Sequence, residues 1–401
     1  MSAECPDRRV FLIVLDSLGV GALPDADRFG DRGAHTLDHL VAAAGGLDAP
    51  RLVALGLGNV PGVFSLPRAA HPQGAFGRMA ERSPGKDTST GHWEMMGCSL
   101  DAAFPVYPDG FPDTIVVEFV ERSRLPGILC NAPASGTEII ERLGQTSIET
   151  GKPIVYTSAD SVFQVAAHEQ HFGLARLLHI CGIAREILTP YGVARVIARP
   201  FVGERGAFTR TYNRRDFSLA PPKQTSLDRL CAAGVPVVGV GKIEDIFAGR
   251  GLTASVHTEG NRDGMQHVLR LAQEQSRGLV FVNLVDFDML YGHRRDARGY
   301  RAALEAFDVD LQRLEAVLRP DDVVLLTADH GNDPTHMATT DHTREYVPIL
   351  AAGLAVRPGV DLGTRRSFAD VGATVEALLG LQVTGEGESF AHTILHGGAS
   401  V

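Results

Sequence analysis

Cysteine is scarce and poorly spaced for chemistry. The 401-residue chain has five, Cys5, Cys98, Cys130, Cys181 and Cys231, an odd number with no C-x-x-C pair. This argues against a disulfide framework or a zinc–thiolate site, and a reducing cytoplasm is the simplest home. Long apolar runs are missing too. The N-terminal run Val10–Leu15 stops at Asp16. It is too short to span a bilayer and no small-residue cleavage pattern follows, so neither an anchor nor a signal peptide is expected. Positive charge is not in excess: 38 lysines and arginines stand against 48 acids, a net charge of −10. That balance argues against nucleic acid or a membrane as the main partner. A phosphorylated metabolite remains compatible, provided positive charge is gathered locally on metal ions or a few arginines. Repeats and low-complexity tracts are absent. What is present is ordinary globular material, 44% hydrophobic and 21% charged, long enough for two or three domains.

The two ends of the chain share a style. Val10–Leu15, Leu279–Val285, Val323–Thr327 and Val347–Ala351 are short continuous apolar runs. Such runs suit strands buried on both faces, as in a mostly parallel sheet covered by helices. Between two of them, Leu304, Phe307, Leu311, Leu314 and Leu318 recur at helical spacing and predict a helix over Tyr300–Leu318. Asp370 reads as the N-cap of another helix, ahead of Val371–Leu379. Strand, helix, strand in this rhythm is an α/β pattern. The middle differs: its strand-like runs are weaker and six arginines fall between Arg195 and Arg215. The expected organisation is an α/β core in two parts, 1–101 and 222–401, with a smaller domain inserted over 102–221.

Three of the buried runs end in acid: Asp16 after the first, Asp286 and Asp288 after the second, Asp329 and His330 after the third. Ligands of open α/β sheets bind at the carboxyl ends of strands, so these side chains are expected to converge. Crowded carboxylates at a low-dielectric edge are costly without counter-charge, and divalent metal is the natural one. His293 and His342 extend the set. Asp16, Asp288, His293, Asp329, His330 and His342 make six candidate ligands, too many for one tetrahedral zinc and suited to two neighbouring ions. Oxygen-rich and free of thiolate, the set favours manganese or magnesium. Any one of these residues is more often a cap or a satisfied core histidine; six after three strand ends read better as one site. A hydroxyl nucleophile beside such ions is expected in Lys86–Glu94, KDTSTGHWE, because a nearby cation lowers a hydroxyl pKa. Spacing does not choose among Thr88, Ser89 and Thr90.

The strings DSLGVGALPDA, GKDTSTGHWE, YTSADSVFQVAAHE, VDFDMLYGHRRD and TADHGNDPTHMATTDHTREYVPIL occur in this order along the chain. Together they resemble the bacterial phosphopentomutases of the alkaline phosphatase-like superfamily. The resemblance implies one metal held by Asp288, His293 and His342, a second by Asp16, Asp329 and His330, and Thr88 as the phosphoryl carrier. It implies that the inserted α/β domain acts as a cap, with Asp160 on the sugar hydroxyls and Arg195, Arg210 and Lys242 on the substrate phosphate. Arg199 competes with Arg195 for that role. The segment from His336 to His342 is one residue longer than the family spacing. By resemblance the cofactors are two divalent ions, manganese first, and a sugar bisphosphate primer; the partners are pentose phosphates. A cofactor-independent phosphoglycerate mutase on the same core normally uses serine as nucleophile, which ranks it lower. A noncatalytic anion-binding protein would leave the ligand set and nucleophile without purpose.

Overall fold

A computed structural model describes residues 7–158, 161–337 and 339–396. The chain forms two compact units, one built from the segments through Ala102 and from Pro221 onward, the other from Ala103–Ala220. Strands β1 (Arg9–Leu15) and β2 (Ala75–Met79) precede the inserted unit. It contains β3 (Leu129–Pro133), β4 (Ile154–Thr157), β5 (Val162–His168), β6 (Arg195–Val202), β7 (Thr209–Arg210) and β8 (Arg215–Ser218). Then come β9 (Val237–Val240), β10 (Ala254–Val256), β11 (Gly278–Leu284), β12 (Val323–Thr327), β13 (Val347–Ala352) and β14 (Asp361–Arg365).

The larger unit holds an eight-stranded sheet in the order β10-β9-β11-β1-β12-β13-β2-β14. It is mostly parallel; β13 alone runs against its two neighbours, β12 and β2. Every residue of β1, β11 and β12 is buried, as continuous apolar runs in a doubly covered sheet require. Their register decides where function sits. Ile13 pairs with Val282 on one side and Leu326 on the other, so the carboxyl ends of these three strands lie level. The residues that follow them leave the sheet at one edge.

The helix after β11 runs Ala297–Glu315, capped by Asp296, whose carboxylate accepts the Gly299 N–H at 2.9 Å. It buries Tyr300, Leu304, Phe307, Leu311 and Leu314. It therefore starts earlier than periodicity predicts and ends before Leu318. Asp370 is not an N-cap. It lies in the first turn of the Ala369–Leu378 helix, where its carboxylate accepts from Arg365 Nε at 2.6 Å and from the Glu388 N–H at 2.7 Å. Those partners fix the side chain away from the helix end.

The smaller unit is a six-stranded sheet, β3-β4-β5-β6-β7 with β8 also paired to β6. Strand alternation divides its apolar residues between two cores. Val155, Phe163, Val165 and Val196 pack with Ile115, Phe119, Leu177 and Ile180 from the Asp113–Arg122 and Leu174–Leu188 helices. Ile154, Tyr156 and Ala166 pack with Ile139 and Ile140 of the Gly136–Thr150 helix. Cys98, Cys130, Cys181 and Cys231 are free thiols. Among the described residues no helix is long and apolar enough to cross a membrane.

Candidate active site

Asp16 follows β1, and the next residue turns sharply: Ser17 takes φ 74°, left-handed backbone that few non-glycine residues adopt. The turn points the Ser17 N–H at Asp329 Oδ1, 3.1 Å away. On the far side, Asn283 Nδ2 donates to Asp16 Oδ2 at 2.8 Å. Two buried carboxylates from adjacent strands are thus oriented by uncharged donors. Their other oxygens, Asp16 Oδ1 and Asp329 Oδ2, are buried with no hydrogen-bond partner among the described residues. His330 Nε2 stands 3.5 Å from the first and 3.3 Å from the second. Burial, with the charges of Asp329 and Asp288 added, raises the Asp16 pKa well above the carboxylate range; Lys242 offsets part of this.

A second group adjoins the first. Asp288 Oδ2 lies 3.0 Å from His293 Nε2 and 3.6 Å from His342 Nε2, while Asn332 Nδ2 donates to Asp288 Oδ1 at 2.7 Å. One ligand atom each from Asp16, Asp329 and His330 falls within 4.8 Å of the others, and the same holds for Asp288, His330 and His342. His330 therefore belongs to both groups. His293 is in neither, although its ring centroid lies 4.8 Å from that of His342, the two rings tilted at 43°.

The imidazoles share a tautomer. His330 Nδ1 contacts the Gly331 carbonyl at 3.1 Å and His293 Nδ1 the Thr340 carbonyl at 2.6 Å. A carbonyl only accepts, so each Nδ1 carries the proton and each Nε2 turns a lone pair into the site. Burial pushes the His330 pKa down to about 4, which keeps that lone pair available at neutral pH. Aligned lone pairs, crowded acids and unpartnered carboxylate oxygens are what a pair of divalent cations would satisfy.

Thr88 is the first residue of the helix Thr88–Met95. Its Oγ1 is 3.3 Å from His330 Nε2. Thr90 is otherwise engaged: its N–H and hydroxyl both donate to Asp87, the N-cap, at 3.1 and 2.5 Å. His92, one turn along, has Nδ1 2.9 Å from the Thr88 carbonyl and 3.2 Å from Asp329 Oδ2. Gly91 lets the helix approach, since a Cβ there would overlap the Asp329 carbonyl. Before the helix, Lys86 Nζ pairs with Asp31 at 3.0 Å and Asp341 at 3.4 Å. Buried Arg344 bonds Glu81, the Ser83 carbonyl and the Gly85 carbonyl at 2.6–2.7 Å. The loop is held at both ends.

Two acid–histidine clusters thus lie beside a helix-borne hydroxyl, and comparison with known proteins narrows what such an arrangement serves. Residues 8–383 match the metalloenzyme superfamily. A phosphopentomutase from Symbiobacterium thermophilum is 57% identical over 96% of this chain and 98% of its own. The chain belongs to the phosphopentomutase family. Another phosphopentomutase, from Anaeromyxobacter dehalogenans, is 55% identical over 94% of this chain and 96% of its own. These relatives make the chain one of the mutases, isomerases that transfer a phosphoryl group. Among solved structures, Leishmania mexicana phosphoglycerate mutase aligns over 96% of this chain and 98% of its own with TM-score 0.50 at 15% identity. The protein PH0037 from Pyrococcus horikoshii aligns over 94% and 99%, also with TM-score 0.50 and 15% identity. At such identity the likeness is one of fold.

Of the residues that the phosphopentomutase resemblance singles out, Asp16, Thr88, Asp288, His293, Asp329, His330 and His342 assemble within the larger unit, and Lys242 follows β9 of the same unit. Arg195 opens β6 and Arg210 closes β7 of the smaller unit. Arg199 Nε donates to Gln164 Oε1 at 3.0 Å. Asp160 lies outside the described residues. Sequence reading overlooked Ser17, Asn283, Asn332 and Arg344. Asn283 had a signal, as the one polar side chain in LVFVNLV; the others gave none apart from their nearness to candidate ligands.

Proposed function

We propose that this chain interconverts ribose or deoxyribose 1-phosphate and the 5-phosphate, with Thr88 carrying the phosphoryl group. The observation that carries this is the Thr88 hydroxyl, set beside the histidine common to both ligand groups, in a chain of this family. Phosphorylated Thr88 donates to the free hydroxyl of a bound pentose phosphate. Its O–P bond breaks as the sugar O–P bond forms, the sugar hydroxyl proton ends on the freed Thr88 oxygen, and a 1,5-bisphosphate results. The bisphosphate reorients, its other phosphate returns to Thr88, and the isomer departs. Asp16, Asp329 and His330 would hold one divalent ion and Asp288, His293 and His342 the other, the donor set favouring manganese or magnesium and the family resemblance manganese. When bound, such ions supply positive charge that stabilises entering and leaving oxygens. Ser17, Asn283 and Asn332 orient the carboxylates; Asp87, Lys86 and Arg344 fix the helix start that presents Thr88.

Residues Ala103–Ala220 would serve as the cap, with Arg195 and Arg210, together with Lys242, on the substrate phosphate and Asp160 on the sugar. A sugar bisphosphate would prime the unphosphorylated enzyme, and the protein would work in the cytoplasm. The test follows pentose 5-phosphate and free phosphate together, from ribose 1-phosphate with manganese and a bisphosphate primer. Isomer should dominate. If free phosphate dominates at saturating substrate, the enzyme is a phosphatase.

A further inference from the structure

Arg295 stands in left-handed backbone at φ 56°, a conformation arginine seldom takes. Strain of this kind persists where the surroundings over-determine it, and it gathers at functional sites. Here the surroundings are specific. Arg295 Nη1 donates to Asn332 Oδ1 at 2.5 Å, the Asp333 carbonyl at 2.9 Å and the Gly292 carbonyl at 3.0 Å; Nη2 donates to the Thr339 carbonyl and, at 3.3 Å, to the Asp341 carbonyl. Each of these five acceptors is a carbonyl oxygen, although Asp288, Asp333 and Asp341 lie close enough to act on the arginine's charge. A guanidinium spreads its donors over a plane in a fixed fork and can hold several carbonyls at once. An ammonium offers its donors from a single point.

The fork joins the turn at 292–295 to residues 332–333 and 339–341, and each stretch governs a ligand of the Asp288 group. Asn332, whose Oδ1 Arg295 holds, turns its Nδ2 to Asp288 Oδ1 at 2.7 Å; fixing the oxygen fixes which way the amide faces. Gly292 leaves the room, since a Cβ there would stand 2.9 Å from Asn332 Cγ. Thr340, between the two carbonyls that Nη2 takes, gives its own carbonyl to His293 Nδ1 at 2.6 Å. Asp341 leads into His342 and accepts the His342 N–H on Oδ1 at 2.8 Å. Asp16 and Asp329 are served differently, by Asn283 and the Ser17 N–H.

We infer that Arg295 is the positioning residue of one ligand group: by tying the Asn332 amide and the Thr339 and Asp341 carbonyls to the turn after Gly292, its guanidinium sets Asp288, His293 and His342 in place for a divalent ion. The inference rests on the ligand assignment proposed above, and adds that this group is assembled by a cation that binds no ion itself. The sign of its effect is diagnostic. A positive charge near a divalent ion repels it, so charge alone predicts tighter metal binding once Arg295 is removed. Positioning predicts weaker binding.

The experiment measures manganese bound per full-length chain over a series of free-ion concentrations set by a chelator, together with the Tm of the ion-free proteins. Parent, Arg295→Gly and Arg295→Lys are compared. Glycine suits the left-handed backbone and removes the guanidinium; lysine keeps the charge and loses the fork. Both variants should need about 10- to 100-fold more free manganese to fill one of the two sites, while the other fills as in the parent. In a chain that already carries Asp288→Ala, Arg295→Lys should change the curve no further. Manganese bound as tightly in Arg295→Gly as in the parent, or more tightly, overturns the inference. So does a parent-like curve in Arg295→Lys, which would make charge and not geometry the role, and so does a lower ion-free Tm with an unchanged curve, which would mark a purely structural one. If Arg295→Gly does not fold without its ions, the Arg295→Lys curve decides. Metal content does not depend on which phosphate reaction the enzyme runs. Free phosphate dominating in the product assay would therefore remove the mutase reading and leave Arg295 its role, whereas a parent that binds no divalent ion would overturn the inference with the ligand assignment.

Discussion

Each acid in the site is oriented by a neighbour with no charge of its own to spare. Ser17 lends a backbone N–H, and Asn283 and Asn332 lend amides, while His92 spends its Nδ1–H on the Thr88 carbonyl beside Asp329. Such partners align ligand atoms, and losing one typically costs 10- to 100-fold in metal affinity. Asn332→Ala is therefore expected to weaken manganese binding about 10- to 100-fold, measured by metal content after graded chelation. Retention equal to the parent would show that Asp288 needs no orientation. Thr88 carries the sharper prediction. Thr88→Ala should abolish turnover while keeping its metal, and peptide mass spectra of parent enzyme incubated with substrate should place one phosphate on Thr88. A phosphate on Thr90 would move the assignment, although the Thr90 hydroxyl already donates to Asp87.

At the scale of elements, the proposed function depends on one short helix being pressed against one strand end. Helix Thr88–Met95 presents Thr88 from its first residue and His92 one turn on, and Gly91 between them faces the Asp329 carbonyl. Gly91→Ala ordinarily favours a helix by about 1 kcal/mol. Here the methyl meets backbone that cannot rotate away, so overpacking of about 1–3 kcal/mol should prevail. The expected result is a lower Tm and a loss of activity larger than the stability change explains, because Thr88 is displaced from His330. A variant as stable and active as the parent would mean that the helix slides freely. Arg344 acts on the preceding loop through Glu81 and two carbonyls. Arg344→Ala strands a buried carboxylate, and a loss of about 3–5 kcal/mol is expected in denaturant unfolding.

For the whole molecule, the carboxyl ends of β1, β11 and β12 gather three buried carboxylates, and Asp16 Oδ1 and Asp329 Oδ2 find no hydrogen-bond partner among the described residues. Removing divalent metal should lower both activity and Tm, and manganese should restore them together, with Tm rising as the free ion concentration rises. Full activity after exhaustive chelation would contradict a metal site. The proposed function also carries a choice between mutase and phosphatase, because a phosphothreonine can yield its phosphate to sugar or to water. The cap role proposed for Ala103–Ala220 predicts that the sugar is favoured, which gives the dual product assay its force.

The sequence by itself determined the α/β class, the strands of the larger unit, the acids at their ends and the hydroxyl-rich segment that comes to lie beside them. It could do so because doubly buried strands leave continuous apolar runs, and functional acids stand out where such runs stop. Its local signals also misled. Asp370 had the composition of an N-cap, but Arg365 and the Glu388 N–H, one close by and one distant in the chain, claimed its carboxylate. Among three neighbouring hydroxyls, spacing was silent; resemblance favoured Thr88, and the helix start puts that hydroxyl beside His330. Only tertiary structure set β1, β11 and β12 level, gave His330 to both ligand groups, and enlisted Ser17, Asn283 and Asn332. The contacts of Ser17, Asn283 and Asn332 join residues 44 to 312 positions apart, and a hydrogen bond across such a separation leaves no periodicity for the sequence to show.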